Sequence, residues 1–137
     1  MTGMDSMLRN WQAGRANRRQ DQRASALLER VREGLVLLDD ALAELADADE
    51  LRGLAGLIAE RLGLKPEEVI CAVAAPSERR LTVLCRAAGL NINGFSAVLR
   101  MRCRARGAIH SPAQALTAFH DMPVEIAQQM AHMAKGR

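Results

Sequence analysis

The sequence predicts an all-α protein built from about six to seven short helices in a single domain. Apolar residues recur at spacings of three and four from Ala24 to Met133, and the alternation typical of a half-buried strand occurs nowhere over a useful length. A chain of 137 residues suits one core, and 49% hydrophobic with 26% charged residues excludes the disordered and collagen-like classes. Because the predicted connections are short, successive helices should pack as a HEAT-like stack of helical hairpins or as a compact bundle.

The first segment, residues 1–22, differs in composition from the rest of the chain. One apolar turn around Met7 and Trp11 leads into a polar, Arg-rich run that ends near Gln22. We expect a basic tail or a loosely docked helix here, with residues 23–137 forming the helical domain. An arm that docks a partner is one interpretation of this segment, and a frayed terminus is the simpler one.

An unbroken 3-4-3-4-3 series of apolar residues then predicts the longest helix. Its members are Leu28, Val31, Leu35, Leu38, Leu42 and Leu45. Small residues beside the series widen it, which favours packing against several helices of the core over a two-stranded coiled coil. A seam of this length is also a candidate interface for a homodimer or for another protein.

Capping signals divide the next stretch into short helices. Asp47 and Glu50 have the spacing of a capping box, which predicts a helix that starts near Asp49. Gly63 is suited to end that helix in the left-handed conformation, and Pro66 is suited to the first position of the following one.

Two further helices are expected in the centre of the chain. One begins at about Ser77 and ends at Gly89, and the next carries apolar residues from Ile92 to Cys103 and ends at Gly107.

The last two helices have proline at or near their first positions. Ser111 followed by Pro112 predicts a capped start for the first of them, and Pro123 opens the second. The large apolar residues of the final helix are expected to point inward, and these are Ile126, Met130 and Met133.

Charge is segregated along the chain. Residues 1–32 contain seven basic and three acidic residues, and residues 33–68 contain three basic and ten acidic ones. Residues 69–137 contain nine basic and three acidic residues, which gives a net charge of +3 for the chain. The acidic middle can therefore neutralise the basic ends, either within one chain or across a dimer.

The sequence also predicts a cytoplasmic location. No apolar run reaches the roughly 18 residues that a membrane span needs, and the start lacks the apolar stretch of a signal peptide. Cys71, Cys85 and Cys103 are odd in number and widely spaced, which favours reduced thiols packed in the core over disulfides or reactive groups.

No catalytic signature is present. His110, His120 and His132 lack the spacing of zinc ligands on one helix, and there is no glycine-rich phosphate loop or nucleophile elbow. We therefore predict that the protein is not an enzyme, holds no metal or cofactor, and takes no small-molecule substrate.

The region around Gly89 has the pattern of a helix-turn-helix motif, which suggests DNA binding as an alternative function. In that interpretation the second helix enters the major groove and its basic end contacts phosphates. The residues involved would be Asn93, Ser96, Arg100, Arg102, Arg104 and Arg106. A helical hairpin that only packs explains the same small residues and glycine.

Three motifs carry a resemblance to a known family. They are a Leu-Gly-Leu turn at Leu62–Leu64, a Leu-Cys-Arg-Ala-Ala-Gly-Leu run at Leu84–Leu90, and Phe95 ahead of an Arg-rich helix end. With these motifs the chain resembles the bacterial domain-of-unknown-function family 2336 (DUF2336) over about residues 50–135. The resemblance implies an all-helical, bacterial and cytosolic protein with a binding or regulatory role, and it carries over no catalytic residues.

Together these features favour a non-enzymatic helical module of the bacterial cytosol that binds a protein partner or a second copy of itself. Nucleic acid is the less favoured partner.

Overall fold

The computed structural model describes residues 22–106 and 112–135, and within these ranges the chain forms eight helices and no strands. This confirms the all-α, single-domain prediction, with one or two helices more than expected. The helices are α1 (residues 22–32), α2 (Leu38–Asp47), α3 (Leu51–Leu62), α4 (Pro66–Ala74), α5 (Arg79–Ala87), α6 (Ile92–Arg106), α7 (Pro112–Asp121) and α8 (Val124–Lys135). The predicted tail, residues 1–22, lies almost entirely outside the described residues.

The helices form a compact bundle. The most extensive packing joins α2 to α6, α5 to α8, and α3 to α4, so two of the three main pairs are distant in sequence. Leu42, Leu45, Leu54 and Phe95 are fully buried at the centre, and burial of each such side chain stabilises the fold by about 1.5–3 kcal/mol.

Aromatic stacking joins α6 to α7. The rings of Phe95 and Phe119 lie 4.3 Å apart at an interplanar angle of 7°. The Arg86 guanidinium on α5 lies 5.2 Å from the centre of the Phe119 ring, and its Nε donates a 2.7 Å hydrogen bond to the carbonyl of Met122. Three helices therefore meet at Phe119.

The predicted long helix is interrupted, so that prediction is wrong. Gly34 has a φ of +77°, and the backbone N–H of Leu35 donates to the carbonyl of Arg30 at 2.9 Å, as in a Schellman motif that ends α1. Leu35 is 71% exposed in the turn that follows, whereas Leu38 begins α2 and is buried.

The six seam residues consequently do not form one surface. Leu38, Leu42 and Leu45 are core residues of α2, Leu28 and Val31 on α1 are partly buried against that core, and Leu35 projects from the turn. A partner could reach the three α2 leucines only if the domain opened.

The predicted capping box is also wrong. Asp49 adopts a left-handed φ of 58° at the end of α2, and α3 begins at Leu51 without a side-chain cap. The Glu50 carboxylate, only 5% exposed, instead accepts a 2.7 Å hydrogen bond from Nη1 of Arg23 on α1.

Other local signals are confirmed. Gly63 and Gly89 have left-handed φ values of 69° and 80° at the ends of α3 and α5, and Pro66 and Pro112 begin α4 and α7. The predicted end at Gly107 and the cap at Ser111 lie outside the described residues.

The expected orientation of α8 is wrong. Ala127 and Ala131 are buried, while Ile126, Met130 and Met133 are 47%, 41% and 71% exposed. Two apolar faces compete on this helix, and the alanine face packs against α5 because its small side chains permit a close approach between the helices.

The acidic middle of the chain pairs with its basic ends within one molecule. Four ion pairs cross between these regions: Arg23 with Glu50 at 2.7 Å, Arg32 with Glu60 at 2.6 Å, Arg100 with Asp47 at 3.6 Å, and Arg104 with Asp49 at 3.7 Å. Of the two arrangements that the charge pattern permits, the fold therefore uses the intramolecular one for these groups. None of the helices described here has the length and apolar character needed to cross a bilayer.

Candidate interaction groove

An apolar groove of about 610 Å³ lies between α5 and α8 and is closed at one end by the turn between α4 and α5. We call it the α5–α8 groove. Its lining includes Pro76, Arg79, Arg80, Val83, Leu84 and Met130. Val83 and Leu84 are almost fully buried and form an apolar wall, whereas Met130 leaves 41% of its surface open to solvent.

The exposed apolar residues of α8 extend the groove along the surface. Ile126, Met130 and Met133 are spaced by four and three residues, so they lie on one side of the helix, and we call them the α8 stripe. Contiguous exposed apolar surface of this kind marks binding sites more often than isolated exposed side chains do.

Positive charge borders the same groove. Arg79 and Arg80 occupy the first turn of α5 and are exposed. Neither guanidinium has a carboxylate within 4.0 Å in the part of the chain that the structure describes. Their charge is added to the positive end of the α5 helix dipole.

Arg102 fixes the turn that closes the groove. This residue is 5% exposed, and its guanidinium donates hydrogen bonds to the carbonyls of Val73 at 2.8 Å, Ala75 at 2.7 Å and Pro76 at 3.2 Å. Glu78 provides a carboxylate oxygen 3.8 Å away. A buried cation satisfied by several acceptors stabilises one conformation of the turn, so Arg102 positions the wall of the groove.

The residues proposed for DNA contact are not brought together as a basic surface. Arg102 points into the protein rather than outward. Arg100 pairs with Asp47, and Arg104 donates to the carbonyl of Ala46 and lies near Asp49.

The remaining members of that set are uncharged or undescribed. Asn93 is exposed, Ser96 is half-buried, and the side chain of Arg106 lies outside the described part of the structure. In addition, α5 packs chiefly on α8 and α6 on α2, so the two helices of the supposed motif do not form a separate hairpin.

A second groove is smaller and more polar at its rim. It has a volume of about 400 Å³ between α1, α3 and α4, and its lining includes Leu28, Gly53, Gly56 and Ile70 together with Arg52 and Glu67. No exposed apolar stripe continues from it among the described residues, so the α5–α8 groove is the stronger candidate.

Groups capable of chemistry are scattered. Cys71 is exposed on α4, which corrects its predicted place in the core, while Cys85 is buried and Cys103 half-buried. Burial and the nearby charge of Asp39 raise the pKa of the Cys85 thiol far above its ordinary value.

The histidines that the structure describes are likewise separate. His120 on α7 and His132 on α8 are both exposed, and His110 lies outside the described residues. Within residues 22–106 and 112–135, no three His, Cys, Asp or Glu side chains are close enough together to hold a metal ion.

Sequence reasoning missed the groove because its two walls come from helices far apart in the chain. Two signals pointed to it: the consecutive arginines Arg79 and Arg80 at the start of a helix, and two competing apolar faces on α8.

Comparison with known proteins gives one match. A family model described as "Uncharacterised protein conserved in bacteria (DUF2336)" matches residues 4–134, which is nearly the whole chain. No curated protein and no solved structure matches the chain.

Proposed function

The chain belongs to the DUF2336 family, and from its structure we propose that it is a non-enzymatic helical module of the bacterial cytosol that binds another protein. The observation that carries this proposal is the α5–α8 groove with the α8 stripe beside it. The family description assigns no activity, so the proposal rests on this surface.

The shape and composition of the surface suit a protein ligand. Val83 and Leu84 form a rigid apolar wall, and Met130 and Met133 add flexible, polarisable side chains that adapt to a binding partner. An apolar groove between two helices is the arrangement that binds an amphipathic helix of another chain.

A small-molecule substrate is less well supported. Ser77 is the neutral polar side chain that lines the α5–α8 groove, and neither described histidine nor any cysteine lines it. Catalytic pockets instead bring several polar or titratable groups together.

DNA binding gains no specific support. Three of the arginines assigned to that role engage carbonyls or carboxylates of the same chain, so binding to phosphates would have to break these contacts.

The proposal is tested by affinity capture with matched variants. Tagged wild-type chain and a Met130→Glu, Met133→Glu variant are incubated with lysate of a bacterium that encodes the protein, and bound proteins are identified by mass spectrometry. The control is Leu35→Glu, Leu37→Glu, which places the same charges on exposed leucines of the α1–α2 turn. All three chains must give the same helical circular dichroism spectrum.

We expect a protein that is retained by the wild type and by the control but lost by the α8 variant. If every chain retains the same proteins, the groove is not the binding surface. Capture of only untagged copies of the same chain would instead establish a homodimer at this face.

A further inference from the structure

Resting on this proposed function, we propose that the α5–α8 groove binds an acidic amphipathic helix, whose apolar side packs on the α8 stripe while its carboxylates pair with Arg79 and Arg80. The partner is thus defined by its chemistry: apolar residues at helical spacing flanked by Asp or Glu.

The geometry of α8 favours a helix as the ligand. Ile126, Met130 and Met133 span two helical turns on one side of α8, and the neighbouring face of that helix is already packed on α5 through Ala127 and Ala131. Helical ligands are recognised through anchors at the same spacing of three, four and seven residues.

Unpaired cations at the groove favour acidic side chains on that helix. Arg79 and Arg80 are exposed and neither lies within 4.0 Å of a described carboxylate, in contrast to Arg32, Arg100 and Arg104. Arg30 and Arg52 are also exposed without such a carboxylate, but neither lines the α5–α8 groove. Glu78, the adjacent acid, lies 3.8 Å from the buried Arg102.

The position of these two arginines also argues for an anionic ligand. Cations in the first turn of a helix are disfavoured by the helix dipole, so Arg79 and Arg80 do not stabilise α5. A bound carboxylate would interact favourably with both the guanidinium groups and the helix end.

Segments of this protein are poorer occupants than a partner. In a two-fold dimer through this face, the arginines of both copies would be brought to the same interface. The acidic helix α2 cannot serve, because Leu38, Leu42 and Leu45 on its apolar face are buried in the core. Residues 1–21 contain four arginines and two aspartates and are therefore net basic.

The test begins with a photo-cross-linking amino acid in place of Met130 in the full chain, expressed in a bacterium that encodes the protein. Mass spectrometry identifies the cross-linked segment. We expect a segment of another protein with apolar residues at spacings of three and four and with Asp and Glu outnumbering Lys and Arg.

A synthetic peptide of that segment is then titrated against purified full-length variants. We expect Arg79→Glu, Arg80→Glu to bind at least about tenfold more weakly, because like charges meet at the interface. Binding to the wild type should also weaken as salt is raised. The control is Arg30→Glu, Arg52→Glu, which makes the same charge change outside the groove and should bind within about twofold of the wild type.

Several outcomes overturn the proposal. In the cross-linking experiment these are a cross-link to a second copy, to residues 1–21 or to a segment that is not acidic, or no cross-link at all. In the titration it is an equal loss of peptide affinity in the two charge-reversal variants. A cross-link to a non-acidic segment of another protein would contradict the acidic ligand but not the proposed protein-binding function. That function would be contradicted if the affinity capture retained the same proteins with the wild type and with the Met130→Glu, Met133→Glu variant.

Discussion

Arg102 on α6 donates a 2.8 Å hydrogen bond to the backbone carbonyl of Val73 near the C-terminal end of α4. The same guanidinium also binds the carbonyls of Ala75 and Pro76, so one buried side chain holds the whole turn into α5. Because this turn closes the α5–α8 groove, the stability of the fold and the shape of the groove depend on the same contact.

Removal of this cation should destabilise the protein strongly. Arg102→Met leaves three carbonyls without their donor, and we expect the free energy of unfolding to fall by about 3 kcal/mol. The measurement is urea unfolding followed by circular dichroism. Arg100→Met is the control, since its half-exposed pair with Asp47 at 3.6 Å should contribute less than about 1 kcal/mol. Equal losses in both variants would contradict the role assigned to Arg102.

Gly94 in the first turn of α6 should not tolerate alanine. A Cβ atom at this position would collide with Oδ1 of Asp39, the atom that accepts a 2.8 Å hydrogen bond from the backbone N–H of Asn91. We expect Gly94→Ala to lower the free energy of unfolding by about 1–3 kcal/mol, as overpacking does.

The matched control for that variant is Gly56→Ala in α3, where a Cβ atom would meet nothing within 4 Å. This change should stabilise the protein by about 0.5–1 kcal/mol through helix propensity. Adding Asp39→Ala to Gly94→Ala should remove most of the steric cost. If the double variant lost the sum of the two single-variant changes in the free energy of unfolding, the proposed collision would be contradicted.

The break between α1 and α2 predicts opposite behaviour for two leucines of one sequence pattern. Leu42→Ala empties a fully buried site and should cost about 2–5 kcal/mol, while Leu35→Ala in the exposed turn should change stability by less than about 0.5 kcal/mol. Thermal and urea unfolding measure both. A continuous helix with one buried seam would instead give similar losses at the two positions.

Charge reversal at the groove should stabilise the isolated protein while it weakens binding. Glutamate at positions 79 and 80 interacts favourably with the positive end of α5, so we expect Arg79→Glu, Arg80→Glu to gain a few tenths of a kcal/mol at low salt. Arg30→Glu makes the same type of substitution at one position in the last turn of α1, at the negative end of a helix, and should lose stability. Unfolding by urea at low and high salt distinguishes these effects, and a large loss in the double variant would show that the arginines serve the fold.

The buried thiol of Cys85 should make the protein less stable in alkali. Its pKa in the folded chain is raised above its ordinary value of about 9, so above that pH the unfolded chain releases a proton that the folded chain keeps. The stability is therefore complete below about pH 9 and falls at up to about 1.4 kcal/mol per pH unit above it.

Comparison with Cys85→Ala isolates this contribution. Between pH 8 and 10.5, the free energy of unfolding should fall by less in the variant than in the wild type, and the difference should be on the order of 1–2 kcal/mol. Thiol labelling gives an independent check. Exposed Cys71 should react in the native protein, and Cys85 only after unfolding. An identical pH dependence in both chains would show that the Cys85 thiol ionises in the folded state.

The part of the fold that could be predicted is the set of helix ends marked by glycine and proline. Gly63, Pro66, Gly89 and Pro112 act through their own backbone geometry, so their effects follow from sequence alone. Gly34 ends α1 in the same left-handed conformation as Gly63, but it lies inside an apolar series that favours a continuous helix, so the sequence pattern does not reveal its role.

The candidate groove was beyond sequence reasoning for a related reason. Both faces of α8 are apolar, and the choice of the Ala127 and Ala131 face depends on how closely α5 approaches. Likewise, Arg102 is one of several alternating arginines, and only the position of the α4–α5 turn distinguishes it from its exposed neighbours.

The stacked rings of Phe95 and Phe119 bear on whether the protein would hold together if its backbone were cut between α6 and α7. They join residues before 107 to residues after 111, and the packing of α5 on α8 joins the same two portions a second time. A peptide bond cleaved between α6 and α7 would leave two polypeptides that share one core. The protein is therefore suited to be split there and reassembled from separately expressed halves.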